Sequence, residues 1–167
     1  MVHHYWSVFA ELLRTPFRHP DLIWGIVPLY FGWLFNELTS SKASYKTAIQ
    51  TGFSFLWAGA HWIYQFFSMH SSTTRKPNLD ALLAVNVMVT IFVLLIGLVA
   101  LISGLRRKFP RYGSFLGHTR FSNYFMIAMF PIQSQYLAWS WDRLIAMLAF
   151  AVPIWFLAHF GLMPFRK

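Results

Sequence analysis

Long uncharged, apolar stretches alternate with short charged segments along the chain. Between Asp21 and Glu37 lie 15 uncharged residues, between Lys46 and Arg75 28, and between Asp80 and Arg106 25. Arg120 to Asp142 encloses 21 more, and Arg143 to Arg166 encloses 22. A helix rises about 1.5 Å per residue and needs about 20 residues to cross a hydrocarbon core of about 30 Å. The last four stretches meet that length, whereas the first reaches only about 22 Å. The pattern predicts spans at Leu22–Leu38, Thr47–Phe67, Ala81–Leu105, Phe121–Ser140 and Leu144–Met163.

The spans differ in character. The third is apolar on every face, which a soluble core helix rarely is over that length. The fourth is the most polar, with Asn123, Gln133, Ser134 and Gln135, and its Pro131 is placed to kink it. The fifth carries Pro153 near its middle. Only residues 141–143 separate the last two spans, which predicts a tight antiparallel hairpin with Asp142 as helix cap. Ahead of the first span, Tyr5, Trp6, Phe9, Leu12, Leu13 and Phe17 recur on one helical face. Glu11, Arg14 and Arg18 sit largely off that face, as in an amphipathic helix lying in the headgroup plane; the alternative is a helix docked on the bundle.

The expected fold is therefore all-α: a polytopic membrane helical bundle of about five transmembrane helices. The alternative is four plus a re-entrant or short first segment, which Gly25, Pro28 and Gly32 would permit. Residues 1–21 form the interfacial lead and 22–167 a single bundle. This layout resembles that of the Yip family of small trafficking membrane proteins, although no residue motif carries the resemblance and no residue role follows from it.

Composition agrees: 57% of residues are hydrophobic and 11% charged, less than half the charge of an ordinary soluble domain. That supply cannot make a wetted surface, and disorder is excluded by the hydrophobicity. Fourteen Lys and Arg against five Asp and Glu give a net +9. Placed between apolar stretches, these charges are topology signals. The loop 106–120 holds five of them, which assigns it and the C-terminus to the cytoplasm. With five spans the count of Lys and Arg is nine inside against five outside; with a re-entrant first segment it becomes eleven against three. Trp24, Trp33, Tyr136, Trp139 and Trp141 lie where an interfacial aromatic belt is expected.

Candidate chemistry is sparse. Intramembrane polar groups are Gln50, His61, Gln65, Gln133, Gln135 and His159. Such residues either bond between helices or line a path. His61 and His159 lie about 9 Å and about 6 Å from opposite surfaces, too far apart in depth to share one haem iron, and no cofactor is expected. His3 and His4 alone are too few for a structural metal. No carboxylate is expected deep in a span, which weighs against a proton pump. Arg106, Arg107, Lys108, Arg111 and Arg120 form a candidate site for anionic lipid headgroups. Nucleic acid is not expected as a partner. Gly52 and Gly59 on the second span, and Gly97, Ala100 and Gly104 on the third, mark close-packing faces that could serve the chain itself or an oligomer. No phosphate loop, HExxH, GxSxG or paired catalytic carboxylates occur.

These features favour a non-enzymatic scaffold or accessory subunit that packs with other membrane helices. The runner-up is a small oligomeric channel or transporter lined by Gln50, His61, Gln133 and Gln135. A lipid-handling enzyme near the basic loop, around His118, Thr119 and Arg120, is the third reading.

Overall fold

Apolar runs of this length, poor in charge and interrupted only at Pro, Gly and polar clusters, form six helices in the computed structural model, which describes residues 2–38, 45–71, 80–106, 120–162 and 164. They are α1 (Val2–Arg18), α2 (Pro20–Leu38), α3 (Tyr45–Ser71), α4 (Asp80–Arg106), α5 (Arg120–Gln133) and α6 (Trp141–Gly161). No strand occurs among the described residues.

Leu22–Leu38 belongs to one continuous helix that begins at Pro20. Its Pro28 lacks an N–H, which orphans the Trp24 carbonyl four residues back. The indole Nε1 of Trp57 on α3 donates to that carbonyl at 2.7 Å, so the proline is accommodated without breaking the helix. α2 and α3 run antiparallel. Gln65 meets Asp21 at one end, and Asn36 Nδ2 donates to Thr51 Oγ1 at 3.3 Å towards the other.

α3 and α4 share the largest interface, and glycines set its spacing. A Cβ at Gly52 would stand 2.6 Å from the Leu101 backbone nitrogen, and one at Gly104 2.9 Å from the Tyr45 carbonyl oxygen. Gly97 faces Phe55 and the Gly52 carbonyl. The small-residue faces thus pack against each other within the chain. α4 rests mainly on α3, and its Leu83–Arg106 stretch is long and apolar enough to cross a membrane, with mean hydropathy 2.9. It is the one such helix among the described residues, and only 22% of its most apolar part is buried inside the protein.

α5 is the hub. Met126, Ile127 and Phe130 pack with Leu22, Ile26, Leu29, Phe55 and Trp62 of α2 and α3. Tyr124, Ala128 and Ile132 pack with Phe9 and Leu12 of α1 and Met147 of α6. The fourth predicted span is cut short: α5 ends at Gln133, and 134–140 form a turn and an irregular segment. Tyr136 N–H donates to the Pro131 carbonyl and Gln135 N–H to the Ile132 carbonyl, the paired bonds of a Schellman cap. Gln135 occupies its left-handed position with φ 63°, where glycine is the usual residue. At 14 residues α5 is about 21 Å long. The cap of α6 is Ser140 rather than Asp142: its Oγ accepts from Arg143 N–H at 3.2 Å, three residues on.

α1 docks on the bundle. Phe9 stacks on Phe150 of α6 with centroids 4.8 Å apart, and Leu12 is fully buried. Glu11 accepts from Arg143 Nη2 at 3.3 Å. Trp6 and Phe17, from the same predicted face, remain exposed.

Removing the indole N–H with Trp57→Phe should cost about 1–3 kcal/mol in thermal unfolding in mild detergent, because it strands the Trp24 carbonyl. In a Pro28→Ala background, position 28 regains an N–H for that carbonyl, and most of the cost should vanish. An equal cost in both backgrounds would show that the indole does not serve this role.

Candidate functional site

Two polar groupings share the end of the bundle where α2 begins and α3 ends. The first centres on Asp21, in the first turn of α2, where a carboxylate is favoured by the helix dipole. Its Oδ2 accepts from Gln65 Nε2 at 3.0 Å and from the Tyr136 hydroxyl in a short bond. Gln65 Nε2 also lies 3.5 Å from His61 Nε2, one helical turn back. The His19 ring lies against Tyr136, with centroids 4.2 Å apart. The His61 ring stacks on Phe130 at 5.6 Å and 22°, and Gly25 leaves the space for both rings. A Cβ at Gly25 would come within 2.5 Å of both rings. The network therefore joins α2, α3 and the α5–α6 connection through one carboxylate.

The second grouping borders a cavity of about 300 Å³ between α3, α4 and the turn after α5. Its walls are apolar, from Trp62, Ile63, Phe66 and Phe67 on α3 and Val87, Ile91 and Leu94 on α4. Polar groups come from Asn86, Thr90, Gln133 and Gln135. Trp139 Nε1 donates to Asn86 Oδ1 at 2.6 Å, tying the α5–α6 connection to α4. The Thr90 hydroxyl lies 2.8 Å from the Asn86 carbonyl oxygen and 3.4 Å from Gln133 Oε1, so the amide receives the weaker contact. Gln133 Nε2 and Trp62 Nε1 are buried without a hydrogen-bond partner.

The predicted polar residues thus divide. His61 and Gln65 join the Asp21 network, and Gln133 and Gln135 border the cavity. Gln50 lies nearer the other end of α3, where its carbonyl accepts from Ser54 Oγ at 2.9 Å. His159 falls on α6, with its side chain outside the described residues. Of the basic set, Arg106 ends α4 in an exposed position and Arg120 opens α5; Arg107, Lys108 and Arg111, with His118 and Thr119, lie outside the described residues. No cluster of three or more His, Cys, Asp or Glu able to hold a metal occurs among the described residues.

Several participants escaped the sequence reading. Asp21 and Tyr136 read as the charged boundary of the first uncharged stretch and a belt aromatic, and 115 positions separate them. Glu37 is buried despite its place at the end of α2. Asn123, already noted as a polar residue of the fourth span, is 0% exposed, and neither of its amide atoms has a partner. The signal available for Asn36 and Glu37 was their adjacency at the end of one predicted span, shortly before a second that opens with Thr47 and carries Thr51.

No family model, no curated protein and no solved structure matches this chain.

Tyr136→Phe and Gln65→Leu should each lower stability by about 0.5–1.5 kcal/mol, the net worth of one hydrogen bond. Both costs should shrink sharply in an Asp21→Ala background, because both donors share the Asp21 carboxylate as acceptor. Thermal unfolding of the four-variant cycles reads the coupling, and strictly additive costs would contradict the network.

Proposed function

We propose that this chain is a multi-pass integral membrane protein acting as a non-enzymatic scaffold or accessory subunit, which recognises other membrane helices through its apolar exterior. The observation carrying this reading is the inverted distribution of polarity. Asn36, Glu37, Thr51, Ser54, Gln65, Asn123, Gln133 and Ser134 are buried. Exposed positions include Trp24, Phe31, Phe53, Trp57, Phe67, Leu148, Phe156 and Leu157. On α4 alone, ten large apolar side chains are exposed, among them Met88, Ile91, Phe92 and Leu95. Each forgoes about 1.5–3 kcal/mol of burial if water surrounds it. Net stabilities are about 5–15 kcal/mol, so the apolar surface calls for an apolar solvent.

Packing extends the reading beyond α4. From Leu94 beside Gly59 to Gly104 beside Tyr45, α4 lies along α3, so α3 shares its depth. α2 lies antiparallel on α3 and follows it. The hydropathy of α3 is diluted by Thr51, Ser54 and Gln65, which face inward, while Phe53, Trp57, Ile63 and Phe67 face out. The α5–α6 hairpin completes the bundle. With Lys and Arg concentrated at 106–120, that loop and the C-terminus are assigned to the cytoplasm.

A scaffold role is favoured over a pore by how the polar groups are placed. Gln50 is remote from the other members of the suggested path, and the remainder divide between the Asp21 network and the cavity. The apolar exterior is the extensive surface that remains for recognition, and anionic headgroups are the proposed partners of the basic loop.

The test is extraction of the native protein into lipid particles, with partners identified by mass. We expect resistance to alkaline carbonate and stoichiometric co-purification of another membrane protein. Release by carbonate would overturn the membrane assignment. Recovery alone, as a symmetric ring that conducts ions in liposomes, would overturn the accessory role in favour of a channel.

A further inference from the structure

Ser7, Glu11, Arg14 and Arg18 recur at i, i+4, i+7 and i+11 along α1, so they form one stripe on the helix. All four are exposed, and with Trp6 they border an open groove of about 460 Å³. Glu11 is the one acid on α1, and it accepts from Arg143 Nη2 on α6 at 3.3 Å. Arg14 and Arg18 pair with no acid among the described residues. Two like charges one turn apart repel each other, and an anion between them removes that repulsion.

The contacts of α1 also fix which way its edges turn. His4 Nε2 lies 3.5 Å from Asp142 Oδ2, and Glu11 meets the adjacent Arg143. His4 and Glu11 stand about 10 Å apart along α1, so α1 crosses the start of α6 rather than running along it. This polar edge faces the end of the bundle where α2 and α6 begin. The opposite edge faces the middle. The Trp6 ring meets Phe150, with centroids 5.4 Å apart, about 14 Å along α6 from its start. The Phe17 ring meets Tyr30 at 6.2 Å, about 15 Å along α2. Trp6 and Phe17 are nonetheless 55% and 66% exposed, so the protein itself does not cover this edge.

The geometry points to the outer face of α1 as a docking site for an anionic phospholipid, its phosphate between Arg14 and Arg18 and its chains running past Trp6 and Phe17. The site rests on the membrane reading above, which places the polar edge towards water and the aromatic edge towards hydrocarbon. Guanidinium groups match phosphate oxygens through paired N–H bonds. Side chains at i and i+4 start about 5–6 Å apart, close enough for both to reach one phosphodiester. A free phosphate would leave the aromatic edge unused, whereas a lipid occupies both parts. Glu11 is turned to Arg143 and does not compete for the two arginines. The site is separate from the basic loop, because α4 runs antiparallel to α3 and carries Arg106 to the opposite end of the bundle.

The chain has no cysteine of its own, so a bimane fluorophore on Ser7→Cys reports which lipids stand at the groove. The full chain is placed in phosphatidylcholine nanodiscs containing phosphatidylglycerol. One lipid species at a time carries bromine high on its acyl chains, and quenching yields the ratio of the two association constants. Each arginine at an anionic surface contributes about fivefold, so the expected preference for phosphatidylglycerol is about 25-fold. Arg14→Gln and Arg18→Gln should each lower it about fivefold, and the double variant should bring it near one. Both side chains are exposed, so these substitutions remove no contact within the protein. Arg106→Gln should leave the preference unchanged. Equal association of the two lipids, a preference that survives the double substitution, or its loss in Arg106→Gln would overturn the site. The same label on Phe92→Cys separates this from the membrane reading. Quenching there by both lipids, with no preference at position 7, removes the docking site and leaves the membrane reading standing. No quenching at Phe92 by either lipid removes both.

Discussion

An apolar exterior turns hydrogen bonding inward, and the rest of this architecture follows from that constraint. A carbonyl freed by a proline, a carboxylate at a helix start or an amide within a helix must find partners among neighbouring helices where surrounding water is absent. The Trp57 indole on the Trp24 carbonyl is one such solution. The Asp21 carboxylate receiving Gln65 and Tyr136 is another. The Trp139–Asn86 bond is a third, joining the start of α4 to the connection between α5 and α6. These bonds explain how helices with little amphipathic character keep a fixed arrangement. Apolar contact with lipid and with protein are nearly equivalent in energy, so close packing and hydrogen bonds supply specificity. The glycine seam between α3 and α4 supplies the close packing.

Helix positions were largely legible because uncharged length is a coarse and robust signal. α2, α3, α4 and α6 lie within a few residues of their predicted spans. The end of α5 was not legible. An uncharged run from 121 to 141 reads as one span, whereas the Schellman cap at Gln135 stops the helix early. That cap depends on a left-handed residue, and glutamine announces it far less clearly than glycine would. The small-residue faces were legible as packing surfaces, but their partner was not, since intrachain and intermolecular contacts use the same residues. α1 showed its face correctly at Phe9 and Leu12. Only tertiary packing on Phe150 and Tyr124 determined that the face meets protein.

The candidate site was legible in its parts and not in its assembly. His61 and Gln65 stood out as polar residues on an apolar helix, yet their link to Asp21 and Tyr136 is long-range. Gln133 and Gln135 stood out for the same reason, but the two meet the cavity differently. One presents a buried amide from the last turn of α5; the other contributes strained backbone. Trp62 was hidden among many aromatics, and its unpartnered indole is a property of packing alone.

The central claim is that the exposed apolar face of α4 meets lipid. The chain has no cysteine, so a single Phe92→Cys substitution provides a clean probe at a residue 63% exposed within the protein. Native membranes carrying this variant are treated with a water-soluble maleimide, before and after denaturation in detergent. The account predicts no labelling in the intact membrane and full labelling once the lipid is removed. Labelling in the intact membrane would place water at this face and contradict it.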